Sequence, residues 1–193
     1  MTESEQHNID TTFLVLCGGV GSRMAGRDKP LLEFHGKPML DHVLASAPDH
    51  MPRLISANRN LDKYQQRGDV VTDKTHGING ASGPLVGIYA GLCTATTTWL
   101  LVAPGDTPCL ADGWWRVMQR ASGGTRNVVA HDGQRQQHLH LLLHRKQVIV
   151  GLRDYLSAGH HQVYAWLESV DLVQAQFDTP DAFRNINTEQ DLQ

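Results

Sequence analysis

Between Gly18 and Lys29 the chain carries four glycines and three cations in twelve residues. Gly18, Gly19 and Gly21 have no Cβ, so the backbone there can take positive φ and come close to a ligand. Successive N–H groups along such a loop converge on phosphate oxygens. Ser22 lies in the same loop, and Arg23 and Lys29 place fixed positive charge at the same point. The combination suits a nucleotide's phosphates; a glycine-rich strand-to-helix turn is the plainer alternative. Three further polar positions, Asn58, Asp73 and Asp106, each close a short apolar run. Asp106 stands between Pro104-Gly105 and Thr107-Pro108. A carboxylate there suits Mg²⁺, which takes oxygen ligands and substrate phosphates, or else caps the turn that follows. Asp73 has the same two readings. Asn58 suits a hydrogen bond to a base or ribose, or a left-handed turn.

The elements that must position these residues alternate. Apolar runs predict strands at Thr11 to Cys17, Arg53 to Ala57, Asp69 to Thr72 and Thr97 to Ala103. Helical spacing of apolar residues predicts helices from Pro38 through Ala47, at Leu61 to Gln66, from Pro84 through Leu92, and at Ala111 to Ala121. Proline opens two of these helices, where its missing N–H costs nothing. Asn127 to His131 and Leu139 to His144 read as a hairpin about Asp132-Gly133. Arg145 to Ser157 and Gln162 to Glu168 read as helices, Val170 to Phe177 as a late strand, and Thr188 as the cap of a last short helix. Alternating strands and helices imply a mostly parallel sheet covered on both faces. The expected fold is therefore one Rossmann-like, three-layer α/β domain over residues 12–193, with a late antiparallel hairpin and a frayed tail over residues 1–11. In such a sheet the carboxyl ends of the parallel strands share one edge, where ligands bind. Gly18-Gly19, Asn58, Asp73 and Asp106 would all meet there.

Several function classes are disfavoured. The net charge of −3 gives no global basic excess for nucleic acid. Residues 1–10 have no apolar stretch of a secretory signal, and no run is long enough to span a bilayer. Three cysteines, Cys17, Cys93 and Cys109, suit buried thiols in a reducing cytoplasm. A dinucleotide G-x-G-x-x-G would need glycine where Met24 stands, and a P-loop would need Lys-Ser/Thr where Arg27-Asp28 stands. His138 and His140 fall on one face of a regular strand, so a zinc site is a minor alternative. Of Trp114-Trp115, one ring is expected in the core and one partly exposed.

Leu16-Cys17-Gly18-Gly19-x-Gly21-Ser22-Arg23-Met24 with Asp28-Lys29 resembles the nucleotide loop of the molybdenum cofactor guanylyltransferases. The resemblance continues at Asn58-Arg59, Asp73, Gly83-Pro84-Leu85-x-Gly87, Asp106-Thr107-Pro108, His131-Asp132-Gly133 and Asn185-Ile186-Asn187-Thr188. It implies a Mg²⁺-dependent nucleotidyltransferase that joins GTP and molybdenum-loaded molybdopterin, giving the guanine dinucleotide cofactor and pyrophosphate. It implies that Leu16, Cys17, Gly18, Gly19, Gly21 and Ser22 line the nucleotide and that Arg23 and Lys29 supply charge. Lys29 would contact phosphate, Asn58 and Asp73 would hold the nucleoside end, and Asp106 would bind Mg²⁺. Other cofactor-biosynthesis proteins and acceptor molybdoenzymes are its implied partners; nucleic acid and membrane are not. The alternatives are a related nucleotidyltransferase using CTP or acting on a sugar phosphate, and a nucleotide-binding regulator without catalysis. Two departures stand out. Cys17 occupies a position where the family usually has alanine, which suggests sensitivity to oxidation. Gln136-Gln137-His138 replaces a proline-containing segment expected to face the pterin.

Overall fold

The computed structural model describes residues 10–18, 28–74, 76, 78, 82–186 and 191. Its frame is a seven-stranded sheet in the order β5-β4-β1-β6-β8-β7-β9. The strands are β1 (Thr11–Leu16), β4 (Arg53–Ser56), β5 (Asp69–Val71), β6 (Trp99–Pro104), β7 (Asn127–His131), β8 (Gln136–His144) and β9 (Leu172–Gln176). β5, β4, β1 and β6 are mutually parallel, and β7 and β9 run with them. β8 alone runs against its neighbours β6 and β7. The expected hairpin is thus present, with β9 added beyond it as a parallel edge strand. A separate two-stranded ribbon, β2 (Glu33–Phe34) and β3 (Lys37–Pro38), turns at His35 and Gly36, whose φ angles are 47° and 80°. Two successive positive φ angles make the hairpin turn whose twist matches the strands.

The β1 sequence decides how the layers form. Phe13, Val15 and Cys17 face one side, and Leu14 the other, following the two-residue period of a strand. On the first side lie α1 (Met39–Ala45), α2 (Leu61–Gln65) and α4 (Trp114–Ser122), with Leu40, Val43, Tyr64, Trp114 and Met118 buried. On the second lie α3 (Pro84–Thr94), α5 (Arg145–Ser157) and α6 (Val163–Glu168), with Leu85, Ile88, Leu92, Leu152 and Trp166 buried. Helix α3 sits close to β1 and β4. A Cβ at Gly87 would collide with Ser56 Oγ, and one at Gly91 would stand 2.6 Å from Leu14 Cδ2. Trp114 is fully buried and donates Nε1–H to Ser46 Oγ, while Trp115 is partly exposed under Arg116.

Boundaries differ from the sequence expectation at a few points. Thr11 is buried and is the first residue of β1, as the strand expected at Thr11 to Cys17 requires, so the tail drawn over residues 1–11 runs one residue too far. Asp10 also ties into the fold, its carbonyl accepting from the Trp99 N–H and its carboxylate from the Thr98 N–H. A 3-10 turn at Pro180–Phe183, absent from the sequence reading, follows β9. The helix expected after Thr188 lies outside the described residues.

β1 is flanked by β4 on one side and β6 on the other, so the chain winds outward from β1 in both directions. The crevice at that reversal of strand order is where open α/β sheets bind ligands. Gly18, Asn58, Asp73 and Asp106, which follow β1, β4, β5 and β6, lie along that edge.

Candidate active site

β1 and β6 are paired along their whole length, Leu16 opposite Pro104. Beyond the last pair, Gly105 N–H donates to Leu16 O at 2.9 Å, which carries the ladder one residue further. Asp106 therefore leaves the sheet beside the start of the glycine loop. Its turn is fixed from two more directions. Thr107 Oγ1 donates to Pro104 O at 2.8 Å, and Ile186 N–H donates to Asp106 O at 3.0 Å. Lys29 Nζ meets Asp106 Oδ2 at 2.5 Å, the two side chains being 16% and 21% exposed. Two groups 77 residues apart in sequence thus form one ion pair at the sheet edge.

Leu16 and Cys17 spend most of their backbone polar groups on the sheet. Leu16 O accepts from Gly105, and Cys17 N–H donates to Ser56 O at 2.8 Å. The Cys17 side chain points into the core, 2% exposed, beside Tyr64. Burial, reinforced by the nearby carboxylates of Asp28 and Asp106, pushes its thiol well above the ordinary range despite an opposing hydrogen bond with Tyr64. A buried thiol held neutral is a poor nucleophile and a poor target for oxidants, so the oxidation sensitivity suggested by the sequence does not follow. Gly18 ends the described part of the loop next to Asn58. Asn58 Oδ1 accepts the Asp73 N–H at 2.9 Å, which joins the ends of β4 and β5. Burial raises the Asp73 carboxyl above its ordinary value, and a hydrogen bond with Asn58 partly offsets this. Gly19, Gly21, Ser22 and Arg23 lie outside the described residues. Gly18, Asn58, Asp73, Lys29 and Asp106 lie at the same edge.

The sequence reading missed Asp28. It is buried and accepts hydrogen bonds from Asn60 Nδ2 at 2.8 Å and Tyr64 OH at 2.9 Å, with Arg59 Nε at 3.6 Å. The resemblance named Asp28 with Lys29 in the loop motif but gave it no role. His140 was missed in a different way. Its Nε2 lies 3.3 Å from Thr107 Oγ1, and its ring packs against Phe183 and Trp114. Since Thr107 donates to Pro104 O, its oxygen accepts from the imidazole.

The expectation that His138 and His140 share a face is corrected. The pairing of β7 with β8 slips between Val129 and Ala130, so that Val129 faces Leu141 while Ala130 faces Gln137. A bulge of this kind breaks the two-residue alternation. His138 lies beside Tyr164 of α6, and His140 against Trp114 of α4, helices on opposite layers. Among the described residues no group of three or more His, Cys, Asp or Glu could hold a metal ion. Gln137, in the segment that departs from the family pattern, donates to Asp132 Oδ2 at 2.5 Å. Asp132 also accepts from the Gln134 and Arg135 N–H groups. Burial opposes its charge, but these donors outweigh that and hold its carboxyl below the ordinary value.

His140 sets an expected pH dependence. Burial lowers its pKa from an ordinary value of 6.5 to about 3. Between those values the unfolded chain binds a proton that the folded chain does not, so stability falls as pH falls below 6.5. The slope from this one group is about 1.4 kcal/mol per pH unit. Urea unfolding from pH 7 to pH 4.5 should therefore show a smaller acid loss in His140→Phe than in the native chain. Equal losses would mean that His140 does not titrate this way.

Residues 13–174 match the model of the MobA-like NTP transferase domain. The chain is 37% identical over 186 residues to a molybdenum cofactor guanylyltransferase of Vibrio cholerae, covering 95% of this chain and 90% of that protein. Its fold is similar to that of molybdopterin-guanine dinucleotide biosynthesis protein A of Archaeoglobus fulgidus. The TM-score is 0.74 at 20% identity, over 94% of each chain. It is also similar to a Mycobacterium tuberculosis protein solved in complex with manganese, with a TM-score of 0.66 at 18% identity over 95% of each chain. The family model over most of the chain and a relative 37% identical along nearly all of it show that the chain belongs to the MobA-like NTP transferase family.

Proposed function

We infer that this chain transfers GMP from GTP to molybdenum-loaded molybdopterin, releasing pyrophosphate. The Lys29–Asp106 pair beside the glycine loop carries this reading, together with guanylyltransferase relatives that match nearly the whole chain. The terminal phosphate of the pterin attacks the α-phosphorus of GTP. A new P–O bond forms there as the bond to the pyrophosphate oxygen breaks. The phosphate monoester is already an anion at neutral pH, so no protein nucleophile and no covalent enzyme intermediate are needed. The protein's part is to align the two reactants and to meet the charge that builds on the leaving pyrophosphate. Lys29 would supply that positive charge, together with Arg23 and the loop N–H groups. Asn58 and Asp73 would hold the nucleoside end, and Leu16, Cys17, Gly18, Gly19, Gly21 and Ser22 would line the nucleotide.

Asp106 would hold Mg²⁺. A single carboxylate at a strand end fits an ion that draws its other ligands from substrate phosphates and water, and the manganese complex of a fold neighbour supports a divalent ion. When bound, that ion screens phosphate charge and polarises the transferring group. Three free cysteines suit a reducing cytoplasm, and no helix of the described residues is long and apolar enough to cross a membrane. Other cofactor-biosynthesis proteins would supply the loaded pterin, and acceptor molybdoenzymes would receive the product.

The deciding assay is pyrophosphate release from nucleotide, Mg²⁺ and molybdenum-loaded molybdopterin. Release is expected with GTP and not with CTP or UTP. No release from well-folded protein with intact pterin would end this reading. Calorimetry in which CTP or UTP binds at least as tightly as GTP would move it to a cytidylyl or sugar-phosphate transferase.

A further inference from the structure

Asp28 occupies the N-cap position of the 3-10 turn Lys29–Leu31, yet its side chain makes no cap hydrogen bond. An aspartate at an N-cap ordinarily accepts from the N–H groups of its own helix. Here the carboxylate turns away and crosses to another element. Oδ2 accepts from Asn60 at 2.8 Å and Oδ1 from Tyr64 OH at 2.9 Å, 32 and 36 residues along the chain. Both donors belong to α2 and its entry: Tyr64 is fully buried, and Asn60 holds a left-handed backbone at φ 50°. The carboxylate itself is 5% exposed, with Arg59 Nε at 3.6 Å. Burying a carboxylate is costly unless it is fully hydrogen-bonded. Giving up the local cap for this long-range arrangement breaks a local rule, and such breaks concentrate at functional sites.

The adjacent residue shows what this arrangement holds in place. Lys29 follows Asp28 directly, and its ammonium reaches Asp106. Pro30 is buried, packing where Gly105 precedes Asp106. The backbone bearing Lys29 is thus fixed behind by Asp28 and ahead by Pro30. We propose that Asp28 is a positioning residue of nucleotidyl transfer, clamping the chain to Asn60 and Tyr64 so that Lys29 is presented to the phosphates beside Asp106. The proposal rests on the reading of Lys29 as a phosphate contact.

A thermodynamic cycle tests it, measured both as kcat/KM for pyrophosphate release and as GTP affinity by calorimetry. Asp28→Ala should lower kcat/KM by about ten- to a hundredfold, as loss of a charge-assisted hydrogen-bonded anchor would. Asp28→Asn keeps the shape, accepts from Asn60 and donates to Tyr64, and should restore most of the loss. In a Lys29→Ala background, Asp28→Ala should change either quantity by less than about twofold, because residues acting through one group are not additive. The same factor in both backgrounds would overturn the proposal. Should Asp28→Ala fail to fold, Tyr64→Phe, which keeps the ring and loses the hydroxyl, takes its place in the cycle. A Lys29→Ala variant with unchanged turnover and GTP affinity would remove the phosphate role of Lys29, and this inference with it. A native chain that binds GTP without releasing pyrophosphate would refute the transferase reading, while the cycle in GTP affinity would still decide the role of Asp28.

Discussion

Asp106→Asn is expected to lower kcat for pyrophosphate release by about a thousandfold, the scale lost when a main electrostatic element of a site is removed. The asparagine keeps the size and shape of the side chain. It keeps the backbone bonds that fix the turn, since Gly105 N–H, Thr107 Oγ1 and Asp106 O are untouched. What it removes is one negative charge at the sheet edge. That charge has two partners in the proposed reaction, the Lys29 ammonium at 2.5 Å and the metal ion. Without it, binding of the divalent ion should weaken sharply, because a neutral amide oxygen is a poorer ligand for Mg²⁺ than a carboxylate. GTP affinity measured without metal should not fall, and should rise if repulsion between Asp106 and the triphosphate outweighs the lost order of Lys29. Stability should fall by about 1–3 kcal/mol, since the pair is largely shielded from water and Lys29 loses its charged acceptor. Calorimetry with and without Mg²⁺, beside the turnover assay, separates these effects. A variant with native kcat, or one that loses GTP binding equally with and without metal, would remove Asp106 from the metal role.

The polar strand ends were legible because a parallel sheet leaves few places for them. Each apolar run in the first half stops at a glycine, asparagine or aspartate, and β-strand topology brings those stops to one edge. The ion pair itself was not legible. Nothing in the local sequence around Lys29 or Asp106 says that they meet across 77 residues; that follows from the register that puts Leu16 opposite Pro104. The alternation that put His138 and His140 on one face is a sound rule for a regular strand. It failed because the β7–β8 register slips, and a bulge leaves no mark in composition. Phe183 was missed since the 3-10 turn Pro180–Phe183 is too short to show a helical period, yet it covers His140 and brings the chain back to Asp106 through Ile186. Asp28 stood in the resembling loop motif with no role assigned to it. Only the contacts of its carboxylate distinguish a cap from a clamp.

The other large effect is expected at Gly105, which carries no chemistry. Its backbone is outside the left-handed region, so alanine is not refused on conformational grounds. The obstacle is space. A Cβ there would stand 2.7 Å from Cys17 Sγ and 3.1 and 3.2 Å from Pro30 Cβ and Cγ. Cys17 is enclosed by the core and Pro30 is a rigid ring, so neither gives way as a surface side chain would. Overpacking of this kind costs about 1–3 kcal/mol in a closely packed interior. Here the strain falls between the two residues of the ion pair, because Pro30 follows Lys29 and Gly105 precedes Asp106. Gly105→Ala should therefore lower kcat/KM by about ten- to a hundredfold, as a displacement of the order of 1 Å at positioned groups does. Cys17→Ala removes the nearest clash and installs the residue usual at that position in the resembling family. The double variant should recover a substantial part of both stability and turnover, though not all, since the Pro30 contacts remain. Thermal melts and turnover of the two single variants and the double variant give the coupling directly. If the effects of Gly105→Ala and Cys17→Ala simply add, the close approach of Gly105 to Cys17 is not what holds Asp106 beside Lys29.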